Sequence, residues 1–579
     1  MLLKLLRSCF QPRPDRQIKR GLALRQEGDL RGAERVLREV VEKFPRDAIA
    51  AVNLALVLLE QNQAAAGAAE LQRALSLEPG NGAAHYNFAN LLRVSGRHDE
   101  AILHYRQAAQ ARPVIALARQ ELMFALLESC AWDAAQAEAD LLRAQCNAKA
   151  EGWMRAIAPL TATYLALDTA ACKQVAAWHA SEAARGLQPL PQHASPRAPE
   201  DAPIRVGYIS PDFRDHPVGQ LMSSALPLHD RSRFKVFAYS SGPDDRSEVR
   251  RSIENNVDRF VDIAAMSDAE AAATIATDGV QLLIDLAGHT TGGRLGVLAR
   301  RPAPVQAHYL GYAATTGAAY LDYFITDAVA TPPVQAADFT EQLAYVPGCF
   351  MLSAGAPAAV AAMPTRASQG LPDDAMVYSN FANASRITRE VFHLWMKILQ
   401  AVPGSVLWLG QSRAAIVNNL RAEAARCGVD TARLVFAGRV ASKSEHLARM
   451  ALADLSLDTI GWHAGHSTTN DTLWAGLPVL TASGRSFASR VGCSLVSAAG
   501  QPALIARDEN DYLGIATRLG CDREQCANLK RKLAGNKKDA LFFDQRRVVA
   551  GLEAVYAAMW RQYQAGVPPQ RIDTSESAA

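Results

Sequence analysis

The chain has 579 residues, 49% hydrophobic and 21% charged, with 61 basic against 58 acidic side chains and a formal net charge of +3. That length exceeds what a single core fills, so two to four domains are expected. The near-neutral balance excludes binding of polyanions through bulk charge, and neither a nucleic-acid nor an anionic-membrane partner is expected. Nine cysteines are scattered, only Cys521 and Cys526 lying close together. No His/Cys cluster has zinc spacing, so a reduced cytoplasmic protein without a bound metal is expected. The opening stretch, apolar but broken by Lys4 and Arg7, lacks the long apolar region of a signal peptide, and no run approaches a membrane span.

The N-terminal part repeats. Pro45, Pro79 and Pro113 each close an amphipathic helical pattern, with a period of 34 residues. Gly28, Asn62 and Gly96 share one turn position; Ala33, Gly67 and Ala101 share one packing position, which Ala135 continues into a degenerate fourth copy. A 34-residue helix–turn–helix period with small packing residues and a terminal proline resembles the tetratricopeptide repeat, expected over residues 13–150. Such stacks bind partners. Asn53 and Asn87 keep the same period, so their amides either hold an extended peptide backbone or link neighbouring helices.

Residues 151–203 read as a helical linker ending in a Pro/His/Ala-rich loop. Short apolar strands then alternate with helical stretches, as in RVGYIS (205–210), KVFAYS (235–240) and QLLIDL (281–286). This alternation predicts a parallel α/β domain over 204–365. A Pro/Ala-rich stretch separates it from a second series (strands at 376–379, 406–409, 434–437, 454–457 and 479–481), which predicts another Rossmann-like domain over 366–565. Ligands of paired domains of this kind are expected between the C-terminal ends of the strands. The polar residues 566–579 are expected to be disordered.

Six segments carry candidate chemistry, five of them at predicted strand ends. In GHSTTNDTLWAGLPVLT (465–481) hydroxyl residues and an Asn open a short helix closed by Gly476, which either binds a diphosphate at its free N–H groups or is simply well capped. In SPDFRDHPVG (210–219) a neutral His216 oriented by Asp212 suits proton abstraction, the alternative being a turn histidine. GHTTGGR (288–294) permits close backbone approach, with Arg294 either binding an anion or pairing at the surface, and RRPAPVQ (300–306) reads as a rigid loop leading into Leu310-Gly311-Tyr312. Arg386 in NFANASR (380–386) suits a phosphate. His446 in VASKSEHL (440–447) suits stacking on a planar base or an ordinary helix position.

Taken together and in this order, DFRDHPVG, GHTTGGR with RRPAPVQAHYLGY, NFANASR, ASKSEHL and GHSTTNDTLWAGLPVLT with SFASRV resemble the O-GlcNAc transferase/SPINDLY family over most of 204–500. The resemblance implies a tetratricopeptide superhelix followed by a GT-B body of two Rossmann-like domains, an α plus α/β fold. It implies a nucleotide-sugar donor, usually UDP-GlcNAc, held mainly by the second domain, and no other cofactor. Carried over by motif, His446 matches the base-stacking residue, Ala441 a backbone contact to the base, Lys443 a ribose contact and Asp471 the ribose-binding carboxylate. His466, Ser467 and Thr468 match diphosphate ligands. Asp212 and His216 match positions near the acceptor, and Leu310 and Gly311 a sugar-pocket turn. The sequence departs from the family at Arg386, where a lysine is usual, at Asn383 for a glutamine, at Ser385 for a tyrosine, and in Trp462 and His463.

The expected activity is inverting, metal-independent transfer of a sugar to Ser/Thr hydroxyls of a protein presented by the repeats. His216, Asp212 and Arg386 are the catalytic candidates, with a donor phosphate as the alternative base. A different donor on the same scaffold (GDP-fucose or a nonulosonic sugar, with flagellin as acceptor) and an inactive repeat adaptor are the alternatives, and a homodimer is left open.

Overall fold

The computed structural model describes residues 14–26, 28–113, 115, 117–148, 152–191, 202–355, 361–410 and 412–574. The expectations for the first residues and for most of the loop at 192–201 lie outside them. Two compact units are present, Met1–Ile157 and Ala158–Ala579.

The first unit is built of helix pairs: Asp15–Gln26 with Leu30–Lys43, Ala48–Glu60 with Ala64–Leu77, Gly82–Val94 with His98–Gln110, and Ala118–Leu127 with Trp132–Asn147. The 34-residue period is visible in backbone and packing alike. Gly28, Asn62, Gly96 and Cys130 all take positive φ, at +86°, +61°, +78° and +52°. The left-handed turn therefore persists into the fourth pair, where a cysteine accepts a conformation that glycine or asparagine adopts more cheaply. Ala33, Gly67, Ala101 and Ala135 are buried at the packing position. A Cβ on Gly67 would lie 2.7 Å from Leu59 Cγ, so this copy needs the smaller residue. Asn53 and Asn87 donate to the carbonyls of Ile49 and Ala83, each four residues back. Their side chains thus share one conformation.

The second unit holds two parallel sheets. Strands β1 (Ile204–Ser210), β2 (Phe234–Ser240), β3 (Arg259–Asp262), β4 (Leu282–Asp285), β5 (Val305–His308), β6 (Tyr323–Thr326) and β7 (Gln342–Tyr345) belong to the first sheet. The second contains β8 (Val377–Asn380), β9 (Val406–Leu409), β10 (Leu434–Phe436), β11 (Leu455–Leu457), β12 (Val479–Ala482) and β13 (Ile505–Ala506). Strand order is β14-β7-β6-β5-β4-β1-β2-β3 in one and β10-β9-β8-β11-β12-β13 in the other, β14 being Ile572–Asp573. Strands such as β4 and β9 are buried at every residue, as helix-covered parallel sheets require.

Four expectations change. Residues 305–308 form β5, so only the start of the 300–306 segment is loop. The region expected as a linker, 151–203, is divided: it belongs to the repeat unit up to Ile157 and to the α/β unit from Ala158, where helix Thr169–Ala183 meets the first sheet's connections, Lys173 Nζ donating to the carbonyls of Ala337 and Phe339. The second domain does not run to 565, because helix Gln545–Gln564 returns to the first. Its Tyr556 accepts from Tyr208 at 3.2 Å, Glu553 Oε1 lies 3.0 Å from His229 Nδ1, and Gln562 accepts from Tyr323 at 2.8 Å. The tail expected to be disordered instead supplies β14, which pairs with Ala344 and Tyr345 and buries Ile572; residues 575–579 lie outside the described ones. Short polar sequence hid an edge strand whose pairing partner is more than 200 residues away. Among the described residues no helix is long and apolar enough to cross a membrane.

Candidate functional site

A cavity of about 210 Å³ lies between the two sheets' C-terminal loops, lined from the first domain by His216, Leu310 and Gly311 and from the second by Arg386, His466 and Ser467. Phe350, Met351, Phe487 and Val491 supply apolar wall. Six of the expected site residues thus meet in one place, although they span 250 positions of the chain.

His216 ends the turn after β1 and caps helix Pro217–Ala225, its Nδ1 accepting from Val218 N–H at 3.3 Å. Asp212 Oδ2 stands 3.5 Å from the same nitrogen, and Asp212 Oδ1 accepts from Arg214. Burial lowers the His216 pKa, Asp212 opposing and Arg214 adding to the shift, so the ring is neutral at pH 7. In this resting geometry the ring proton is on Nε2, since Nδ1 accepts. Shifting that proton to Nδ1, toward Asp212, frees Nε2 to act as a base.

The Leu310–Gly311 turn follows β5. Leu310 has φ +65°, and a Cβ on Gly311 would fall 2.1 Å from the carbonyl oxygen of Leu286, so glycine is needed for this approach.

Across the cavity, helix Ser467–Trp474 starts at His466 with no side-chain cap. The first-turn N–H groups therefore carry the helix's positive end unneutralised by a side chain. His466 Nε2 donates to Ala488 O at 2.8 Å, leaving Nδ1 as an acceptor; burial and Arg386 push its pKa down to about 3. Thr468 accepts from Thr472 Oγ1 through its carbonyl. Arg386 Nη1 donates to Ala464 O at 2.6 Å, fixing a permanent cation beside that helix start. Asn383 lies exposed and outside the cavity. Its Oδ1 accepts from Ser385 N and Oγ, capping the turn that carries Arg386.

The remaining nucleotide-side candidates cluster on helix Lys443–Met450, capped by Ser442. Lys443 Nζ is 2.5 Å from Asp471 Oδ2 and 3.4 Å from Gln220 Oε1 of the first domain. Burial raises the Asp471 pKa, which the Lys443 charge counters. Ala441 N–H donates to Glu445 Oε2, leaving its carbonyl as the group open to a ligand. His446 Nδ1 accepts from Arg449, and burial, with Arg449 and Lys443, lowers its pKa to about 4. A neutral ring suits stacking on a base. Its neighbour Phe381 packs edge-on, 5.4 Å away.

Sequence reasoning passed over Asp458, which directly follows β11 and accepts from Gly465 N–H at 2.7 Å and from Thr481 Oγ1 at 2.9 Å. Burial raises its pKa to about 6. Gly465 permits this grip, since a Cβ there would sit 2.6 Å from Asp458 Oδ1. An aspartate at a strand's end, seven residues before a glycine, was the available signal. Arg294, by contrast, pairs with Asp268 and the carbonyls of Ile263 and Met266, which settles it as structural. Of the departures, Trp462 lines a smaller cavity that shares Ala313 and Phe487 with the main one, and His463 is buried, stacked 4.1 Å from Tyr164.

Comparison with known proteins places these features in context. Glycosyl transferase family 41 matches residues 150–358 and 354–552, and a tetratricopeptide repeat family matches 18–75 and 53–114. A probable UDP-N-acetylglucosamine–peptide N-acetylglucosaminyltransferase SEC of Arabidopsis thaliana is 35% identical over 380 residues, covering 65% of this chain and 39% of the relative. The UDP-N-acetylglucosamine–peptide N-acetylglucosaminyltransferase of Caenorhabditis elegans is 31% identical over 481 residues, covering 64% and 42%. The chain thus spans about two fifths of the length of these relatives. A mutant of the Thermobaculum terrenum O-GlcNAc transferase superposes with a TM-score of 0.70 at 29% identity, covering 96% of this chain and all of that one.

Proposed function

Because the chain belongs to glycosyl transferase family 41, we propose that it transfers N-acetylglucosamine from UDP-GlcNAc to Ser/Thr hydroxyls of proteins, with inversion and without a metal. The observation that carries this reading is the single cavity joining His216, Leu310 and Gly311 to Arg386, His466 and Ser467. The names of the relatives support the donor and the peptide acceptor.

In this reading the base stacks at His446, the ribose meets Lys443 and Asp471, and the diphosphate rests on the helix start at His466–Thr468. The sugar then fills the cavity against Leu310 and Gly311. The acceptor oxygen attacks the anomeric carbon as the bond to the diphosphate oxygen breaks, and the bonding electrons leave with UDP. The hydroxyl proton passes to His216 Nε2, Asp212 balancing the imidazolium. Arg386, Lys443 and the helix N-terminus stabilise the departing charge. The repeats present the acceptor, with Asn53 and Asn87 on corresponding faces of two helices.

One observation favours a second reading, another nucleotide sugar on the same machinery: the loop before His466 carries Trp462 beside a second cavity of about 50 Å³. Calorimetric titration of UDP-GlcNAc, UDP-glucose, GDP-fucose and CMP-sugars separates the two. Selective binding of UDP-GlcNAc supports the first, selective binding of another donor the second, and no binding leaves a repeat adaptor.

A further inference from the structure

His308 ends β5, immediately before the turn that lines the cavity, and is completely buried. Its Nδ1 is 2.8 Å from Asp285 Oδ2 and its Nε2 2.9 Å from the carbonyl oxygen of Tyr312. Asp285 meanwhile accepts from the N–H groups of Ala287 at 3.2 Å and Gly288 at 2.8 Å, one on each oxygen. One nitrogen of His308 thus faces a carboxyl group and the other a carbonyl. A neutral ring has a single N–H, and beside a carboxylate one of these contacts would then set lone pair against lone pair. An imidazolium beside a carboxylate satisfies both contacts at once.

The surroundings agree. Burial opposes the charge, but the hydrogen bond and charge of Asp285, the Tyr312 carbonyl and Glu341 outweigh it, and the pKa is raised. Among the other ionisable neighbours, His289 is neutral, its pKa lowered to about 4 by burial, and burial raises the pKa of the Tyr312 and Tyr320 hydroxyls, keeping them neutral as well. From β6 the ring meets only Phe324, 5.4 Å away.

The pair grips two backbone segments at once. Asp285 holds 287–288, and His308 holds Tyr312, on either side of the point where Gly311 rests on Leu286. Leu310 and Gly311 then form the first-domain wall opposite Arg386 and His466. Nothing in the transfer machinery proposed above uses this pair.

We propose that His308 and Asp285 form a buried imidazolium–carboxylate clamp that positions the Leu310–Gly311 turn against the transferred sugar, making His308 a positioning residue for sugar selection. The inference rests on the sugar-transfer reading above. Losing the His308 proton removes one of its two hydrogen bonds and leaves Asp285 buried without a counter-charge, so the turn loosens while the nucleotide contacts on the second domain stay intact.

The test compares UDP-GlcNAc with UDP by calorimetry on the full chain, using the wild type, His308→Met, His308→Gln and Asp285→Asn. His308→Met is expected to weaken UDP-GlcNAc about tenfold or more, with UDP affinity unchanged within about twofold, and the single amide donor of His308→Gln to recover part of the loss. Equal weakening of both ligands, or of neither, overturns the clamp. Should the variants fail to fold, nitrogen NMR of histidine-labelled wild type at pH 7.5 serves instead. One fully buried histidine protonated on both nitrogens supports the proposal; its absence contradicts it. A wild type that carries this imidazolium yet binds no UDP-sugar overturns the transfer reading and leaves the charged pair standing.

Discussion

Lys443 Nζ and Asp471 Oδ2, 2.5 Å apart, join the first turn of helix Lys443–Met450 to the second turn of helix Ser467–Trp474, both helices belonging to the proposed nucleotide site. Asp471 is largely buried, and burial alone would keep it protonated at higher pH. The lysine is what lets it ionise.

Lys443→Ala is therefore expected to cost about 1–2 kcal/mol at pH 7, less than a fully buried pair because the lysine is partly exposed. With its folded pKa raised, the carboxyl favours the native state when protonated, at low pH, and that advantage fades as pH rises through the folded pKa. Denaturant titrations should show the variant's deficit growing from pH 4 to pH 7. A constant deficit would contradict the pairing.

His216 combines a structural cap with the proposed chemistry, and His216→Asn separates them. Asparagine is a good N-cap, so stability should change by under about 1 kcal/mol, whereas transfer should fall by about 10²–10⁴. His216→Ala should lose both. Because burial depresses the imidazole pKa, wild-type activity should persist below the ordinary histidine range and then fall, and stability should drop as pH decreases through that range. Full activity in the asparagine variant would assign the proton to another acceptor, a donor phosphate first.

Gly311→Ala places a methyl group 2.1 Å from a backbone carbonyl, not from a yielding side-chain tip. A loss of about 1–3 kcal/mol is expected, together with weaker binding of the sugar donor than of UDP. Thermal unfolding with and without each ligand checks both parts, and a neutral substitution would mean the turn adapts.

Helix Gln545–Gln564 is predicted to be indispensable to the first domain. Glu553 is buried against His229 and also accepts from Asp230 N–H at 2.8 Å. Glu553→Ala should destabilise by about 1–3 kcal/mol, because it leaves the buried His229 ring and the Asp230 N–H without their shared partner. Unfolding curves matching the wild type would make the return of this helix incidental.

The repeat period, the two parallel domains and most of the cavity were legible in sequence, because each rests on local pattern. Residues 28, 62 and 96 advertise a left-handed turn, and apolar runs such as LLID advertise buried strands. What sequence concealed was pairing at long range. Ile572–Asp573 becomes a strand only beside β7, and Glu553 gains its meaning from His229, 324 residues away. Motif matching also favoured groups able to touch a ligand. It therefore passed over Asp458 and the His308–Asp285 pair, whose partners are backbone groups in loops that sequence cannot place. Asn383 shows the converse, a matched position that turns out to cap the turn carrying Arg386.

In the proposed complex Arg386, the helix start at His466 and the Leu310–Gly311 turn enclose one nucleotide sugar. Calorimetric titration of UDP-GlcNAc into the wild type and Arg386→Ala tests it most directly. Saturable binding with 1:1 stoichiometry is expected, weakened about tenfold or more by the substitution. Binding of equal strength in both proteins would contradict it.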